Sequence, residues 1–329
     1  MNTSKRKSSL DYKIVARGFL NNIVWIIFLL LMITFSATIY GFFTVANYIN
    51  IIYHSVFIGI LAIGQTFVLI SGNLDLSVES TAAGSAILSV WLVSTSQYAS
   101  GYQLNTWIGF LAVIALGTLV GAFNAFFVVK LKINSFLVTL SSYIFVRAAA
   151  IWITGGYGMQ GLPKDFRFID MTRLFSIPLM VYLMFAMFIF FEFLLKRTRF
   201  GRHVYIVGGN ESAANSFGIN VDRLIFKVFI LSGIVASLAG WLMAARANGS
   251  VAAMGRGFLF EVLAAVVIGG VSLQGGIGSL VGAFAGALIL SCIHSALNLS
   301  AVSPFITNFI QGILIIVAVS LDALKRLFR

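Results

Sequence analysis

Acidic residues are scarce in this chain of 329 residues, with ten Asp and Glu against 22 Lys and Arg, and charged residues make up only 10% of it. A soluble globular domain carries roughly a quarter of its residues as charges, so that class is excluded. Cysteine occurs once, at Cys292 inside an apolar segment, which rules out an internal disulfide and leaves no Cys-based metal site. Three prolines and no low-complexity tract leave no room for a long linker or a second domain. The phosphate-cradling pattern GxxxxGKS/T is missing, and no soluble stretch is long enough to fold a nucleotide-binding domain. HExxH, GxSxG and any compact group of acids and histidines are missing too, so the sequence gives no sign of catalysis.

What the chain has is hydrophobicity, at 60% hydrophobic residues and a mean hydropathy of +1.00. Only helices and closed barrels satisfy their backbones in lipid, and a helix needs about 17 to 25 apolar residues to cross. The spacing predicts an all-α integral membrane protein of about ten crossings. They are Ile23 to Tyr40, Ile49 to Ile70, Leu76 to Thr95, Trp107 to Val129 and Ser135 to Ile153, then Leu174 to Leu195, Leu224 to Ala245, Phe258 to Ser272, Ser279 to Leu299 and Pro304 to Leu321. The first run follows Lys5, Arg6, Lys7, Lys13 and Arg17 like a signal sequence, but its length and the missing A-x-A site make it a retained span. Tails at 1–22 and 322–329 flank a membrane domain over 23–321.

With the N-terminus inside, fifteen Lys and Arg fall on the cytoplasmic side and five on the external side (Lys164, Arg167, Arg173, Arg246 and Arg256), while Arg147 and Lys227 lie within spans. That bias orients both termini to the cytoplasm. The net charge of +12 comes from short basic runs between apolar segments, so it reports orientation in a lipid bilayer and not nucleic-acid binding.

The long polar interruption is Lys196 to Arg223, a cytoplasmic loop. Within it Asn210 is a good N-cap, Glu211 suits the first turn, and Gly218 can close the end, delimiting a helix of about two turns. Its small apolar face of Ala213, Ala214 and Phe217 could enter a partner's groove, or the stretch could be an ordinary charged loop. Elsewhere the apolar pattern breaks twice, at Gly72 and at the pairs Gly269-Gly270 and Gly275-Gly276. The first break brings Gln65, Asn73 and Asp75 together as candidate route-lining residues, although Asp75 could equally cap the next helix. Gly117 and Gly121 permit a close helix contact, as do Gly278, Gly282 and Gly286. Arg147 either snorkels outward or pairs with a buried acid, and Glu192 and Lys196 sit one turn apart as a pair. His54 and His294 read as packing residues. Asp75, Glu79, Glu192 and Glu261 fall near span ends on this topology, which argues against ion coupling at the membrane midplane.

Three stretches in order carry a resemblance: GQTFVLISGNLDLSVES from Gly64, the loop with Thr198, Phe200, Gly201, Arg202, Gly208, Gly209, Asn210, Ala213, Ala214, Gly218 and Ile219, and EVLAAVVIGGVSLQGGIGSLVGA from Glu261. Together they resemble the permease subunits of bacterial ribose-type sugar ABC importers. The resemblance implies a broken-helix fold similar to the membrane subunit of the vitamin B12 importer. It also implies a second permease chain, a separate ATP-binding subunit that holds ATP and Mg, and a periplasmic sugar-binding protein. It makes Asn210 to Gly218 the helix that couples to the ATPase. Asn73 and Glu79 depart from the resembled pattern, which commonly has Gly at both places, and Leu259 replaces a frequent Glu. The expected function is the pore of an ATP-driven sugar importer of the bacterial inner membrane. The alternatives are a branched-chain amino acid ABC permease and, from a different class, an ion-coupled carrier acting alone.

Overall fold

The computed structural model describes residues 23–303 continuously, and residues 305–307, 309, 310, 312, 313, 316 and 320 beyond them. The two tails and half of the expected last span, Pro304 to Leu321, lie outside the described residues. Nine of the expected apolar runs coincide with helices: α1 (Ile23–Thr38), α2 (Val45–Ile70), α3 (Val78–Val93), α4 (Thr106–Lys130), α5 (Ser135–Thr154), α7 (Leu179–Arg197), α10 (Val221–Ala247), α11 (Phe258–Ile268) and α12 (Leu280–Leu299). Six of them, α2, α4, α5, α7, α10 and α12, are long and apolar enough to cross a membrane, while α1, α3 and α11 are shorter. The remaining helices, α6 (Lys164–Met171), α8 (Arg199–Gly209) and α9 (Glu211–Ser216), lie in the connections. Two small ribbons accompany them, β1 (Met159–Gln160) with β4 (Gly249–Ser250) and β2 (Arg173–Leu174) with β3 (Ile177–Pro178), both antiparallel.

Two expectations need correction. The sixth apolar run does not begin its helix at Leu174, because Arg173 to Pro178 folds into the β2–β3 hairpin and Pro178 caps α7. The polar loop is not one short helix in coil. Thr198 accepts a hydrogen bond from the Gly201 N–H and starts α8, which buries Gly201, Val204 and Val207 along one face.

The core forms around α2 and α10, which pack on each other; α10 packs also on α3 and α4, and α2 on α12, α11 and α7. Nearly every residue of α2 from Ser55 to Ile70 is buried. The α4–α10 contact brings backbones together: a Cβ added to Gly117 would stand 2.2 Å from the Gly233 carbonyl oxygen. Here the glycine spacing read from the sequence does permit close approach, with Gly233 as its partner.

Connections gather at two opposite ends of the bundle. At one end the Gly276 N–H donates to the Ile70 carbonyl (2.8 Å), the Leu74 N–H to Ser135 Oγ (3.2 Å), and Lys132 meets Asp222 (2.8 Å). At the other end β1 pairs with β4, the Thr95 N–H donates to the Gly161 carbonyl (3.3 Å), and the Leu162 N–H to Asn248 Oδ1 (3.3 Å). Each of these links joins segments that the charge pattern assigns to one side.

Candidate functional site

Three motifs that are far apart in sequence meet at the first of these ends. α2 stops at Ile70, and Gly72 turns the chain in the left-handed region at φ +80°. α8 lays its last turn across that stop so closely that a Cβ on Gly208 would lie 1.7 Å from the Ile70 carbonyl oxygen. The turn after α11 completes the junction, since a Cβ on Gly275 would stand 2.6 Å from the Gly208 carbonyl oxygen and 2.8 Å from Gly72 Cα. Only residues without a side chain allow three backbones to touch in this way. Gly269 ends α11 and Gly270, at φ +86°, begins the turn. Tyr205 of α8 donates to the Gly278 carbonyl (2.7 Å). Burial, reinforced by the charge of Glu192, pushes the Tyr205 phenol up to about 12, so it remains a donor at any physiological pH.

α9 projects from this junction. Asn210 Oδ1 accepts from the Ala213 N–H (2.9 Å), and Glu211 sits in the first turn. At the other end Gly218 takes φ +76°, and the Ile219 N–H closes back on the Ala214 carbonyl (3.1 Å). Ala214 is fully buried beneath the helix, whereas Phe217 is 82% exposed and Ala213 half-buried. A large exposed ring on a two-turn helix that is anchored from below is a projecting knob. Beside it lies a cavity of about 360 Å³ lined by Asn73, Asn210, Glu211, Gln274, and the pair Lys132 and Asp222. The hydrogen bond to Asp222 holds the Lys132 ammonium above its ordinary value.

Beyond Gly72 the chain runs into the bundle before α3 begins. Asp75 Oδ1 accepts from the Ser77 N–H (2.9 Å) and hydroxyl, and Oδ2 from the Ser232 hydroxyl (2.8 Å). Ser77 in turn bonds Asn124, and Asn124 bonds Ser142. One turn further, Glu79 collects four donors: Arg147 Nη2 (2.6 Å), Tyr143 Oη (3.3 Å), and the backbone N–H groups of Gly257 (3.1 Å) and Leu259 (3.0 Å). Arg147 Nη1 also donates to the Ala252 carbonyl (3.0 Å). Of the two readings for Arg147, the structure shows pairing with a buried acid. Arg147 lies about 18 Å along α5 from its first residue, so Glu79, in the first turn of α3 and near its helix end as expected, sits well inside the bundle. The expected pair of Glu192 and Lys196 is present at 2.5 Å.

The three candidate route residues part company. Asn73 is half-buried and opens on the cavity beside α9. Asp75 is 2% exposed, with one oxygen bonded to Ser77 ahead of α3 and the other to Ser232 of α10, and Gln65 is 0% exposed with neither amide atom bonded among the described residues. His54 and His294 stack at 4.3 Å between α2 and α12. Among the described residues no group of three or more His, Cys, Asp or Glu could hold a metal ion. Sequence reasoning missed α8, though Phe200, Val204 and Val207 carry a helical apolar spacing. It also missed that Glu79 and Arg147, single opposite charges in the third and fifth apolar runs, are partners.

Residues 47–319 match the family described as branched-chain amino acid transport system / permease component. The chain belongs to that family, and it is a multi-pass membrane protein. It is 33% identical over 306 residues to the ribose import permease of Escherichia coli, covering 92% of this chain and 93% of that protein. It is 34% identical over 268 residues to the L-arabinose transport system permease of Escherichia coli, covering 82% and 80% of the two chains. The autoinducer 2 import system permease of Klebsiella pneumoniae is 33% identical over 267 residues, 81% of this chain and 76% of that one. No solved structure matches the chain.

Proposed function

We propose that this chain is the membrane-spanning permease subunit of an ATP-driven sugar importer of the bacterial inner membrane. Its relatives over most of their length are named for ribose and L-arabinose, which favours a sugar over the amino acids in the family's description. The single observation that carries the mechanism is the glycine junction, where the stem of α9 touches the turns of both interrupted helices. A partner that grips Phe217 and moves α9 therefore moves the ends of α2 and α11 as well, and the bundle can alternate between two openings. The partner is a separate ATP-binding subunit, which carries ATP and Mg. A second permease chain completes the pore, and a periplasmic sugar-binding protein delivers the substrate. Both termini lie in the cytoplasm, and the fold is of the kind found in the vitamin B12 importer's membrane subunit. Asn210, Glu211, Ala213, Ala214, Phe217 and Gly218 form the coupling element. Gln65, Asn73 and Asp75 lie along the route, and Asp75 also ties the start of α3 to α10 through Ser232.

Phe217→Asp, or deletion of residues 211–217, should abolish co-purification of the ATPase while the chain still inserts in the membrane; undiminished co-purification would refute the assignment. In the assembled transporter, thiol labelling of Asn73→Cys and Gln65→Cys should change with nucleotide state. Constant labelling in every state would remove both residues from the route.

A further inference from the structure

The end of the bundle opposite the glycine junction holds a cavity of about 670 Å³. It lies between the connection after α3 and the β1–β4 ribbon, at the end of α10. None of the residues around it is charged, and Ser96, Gln97, Gln160 and Asn248 supply amides and a hydroxyl. At the rim Tyr98, 40% exposed, stacks on Tyr157 at 4.4 Å and leaves its aromatic ring at the cavity edge.

We propose that this cavity is a receiving subsite for a neutral polyhydroxylated ligand of monosaccharide size. The inference rests on the sugar-permease reading and deepens it. Uncharged donors and acceptors beside an aromatic ring suit a compact ligand with many hydroxyls and one apolar ring face. A zwitterionic amino acid would bring two charges into a cavity with no charged side chain, and a branched aliphatic group would find amides where it needs hydrocarbon. The floor is held from below, because Arg147 bonds the Ala252 carbonyl between the lining residues Val251 and Met254 and is itself fixed by Glu79. The subsite thus stands on the same deep layer that follows the Gly72 turn. Any shift of α3 or α5 at that layer would move its floor.

The test is saturation-transfer NMR on the full-length chain in lipid nanodiscs, with D-ribose, L-arabinose and L-leucine as probes. A pentose affinity, read from the concentration dependence of the signal, that falls about tenfold, equivalent to about 1.4 kcal/mol, in Gln97→Ala combined with Gln160→Ala supports the subsite. Tyr98→Ala, a rim change that leaves the ribbon intact, should lower it independently, and L-leucine should give no signal. No pentose signal, a signal unchanged in these variants, or an L-leucine signal with the same residue dependence overturns it. Variants that weaken association with the binding protein and leave the pentose signal intact would make the cavity a protein-docking surface, and would overturn it as well. A chain that recruits its ATPase yet shows no pentose signal loses this proposal alone, with the permease reading standing.

Discussion

The glycine junction and the Glu79–Arg147 layer both tie separate helices together inside one bundle, by opposite means. At the junction Gly72, Gly208, Gly275 and Gly276 let backbone meet backbone, and the contact consists of what the residues lack. At the deeper layer two of the chain's few charges, 2% and 11% exposed at their side chains, neutralise each other and take up the free N–H groups at the start of α11. Backbone contact is short-ranged and tolerates no added atom. A buried ion pair tolerates some movement and no loss of a partner. The two layers should therefore fail differently.

Gly208→Val should give the largest effect. Its Cβ would fall 1.7 Å from the Ile70 carbonyl oxygen, so the junction must open, and a loss of about 4 kcal/mol or more is expected in thermal unfolding of the purified chain. A stability near that of the unmodified chain would show that the junction is loose and that the contrast is wrong. Arg147→Ala comes next, at about 3–5 kcal/mol, because it strands the Glu79 carboxylate away from water. Pairing it with Glu79→Ala should restore part of the loss, which a double-mutant cycle would detect. A double variant less stable than Arg147→Ala would mean that Glu79 matters mainly as the cap of α11. The smallest effect is expected at Asn210→Ala, about 1 kcal/mol from the missing bond to the Ala213 N–H. The same change should weaken ATPase co-purification more than it lowers the melting temperature. Equal effects on both would make α9 an ordinary surface helix.

Much of the fold was legible in the sequence, since hydrocarbon thickness fixes the length of an apolar helix and leaves the chain little choice. The edges failed where local chemistry overrode hydropathy, at Arg173 to Pro178 and along α8. Of the candidate site, the caps of α9 at Asn210 and Gly218 could be read directly because capping is a matter between neighbours in sequence. The meeting of Gly72 with Gly208 and Gly275 could not, because no pattern in one segment states which distant backbone will press against it.

Sequence by itself therefore determined that this chain lives in a bilayer, where its helices break, and which short polar element projects from them. It did so because burial in lipid, glycine freedom and capping act over a few residues. Only the tertiary structure decided that both breaks and the last turn of α8 share one contact, that Arg147 belongs to Glu79, and that an uncharged hollow stands at the far end of the bundle. Those facts are distances between segments, set by how side chains fill the space between helices.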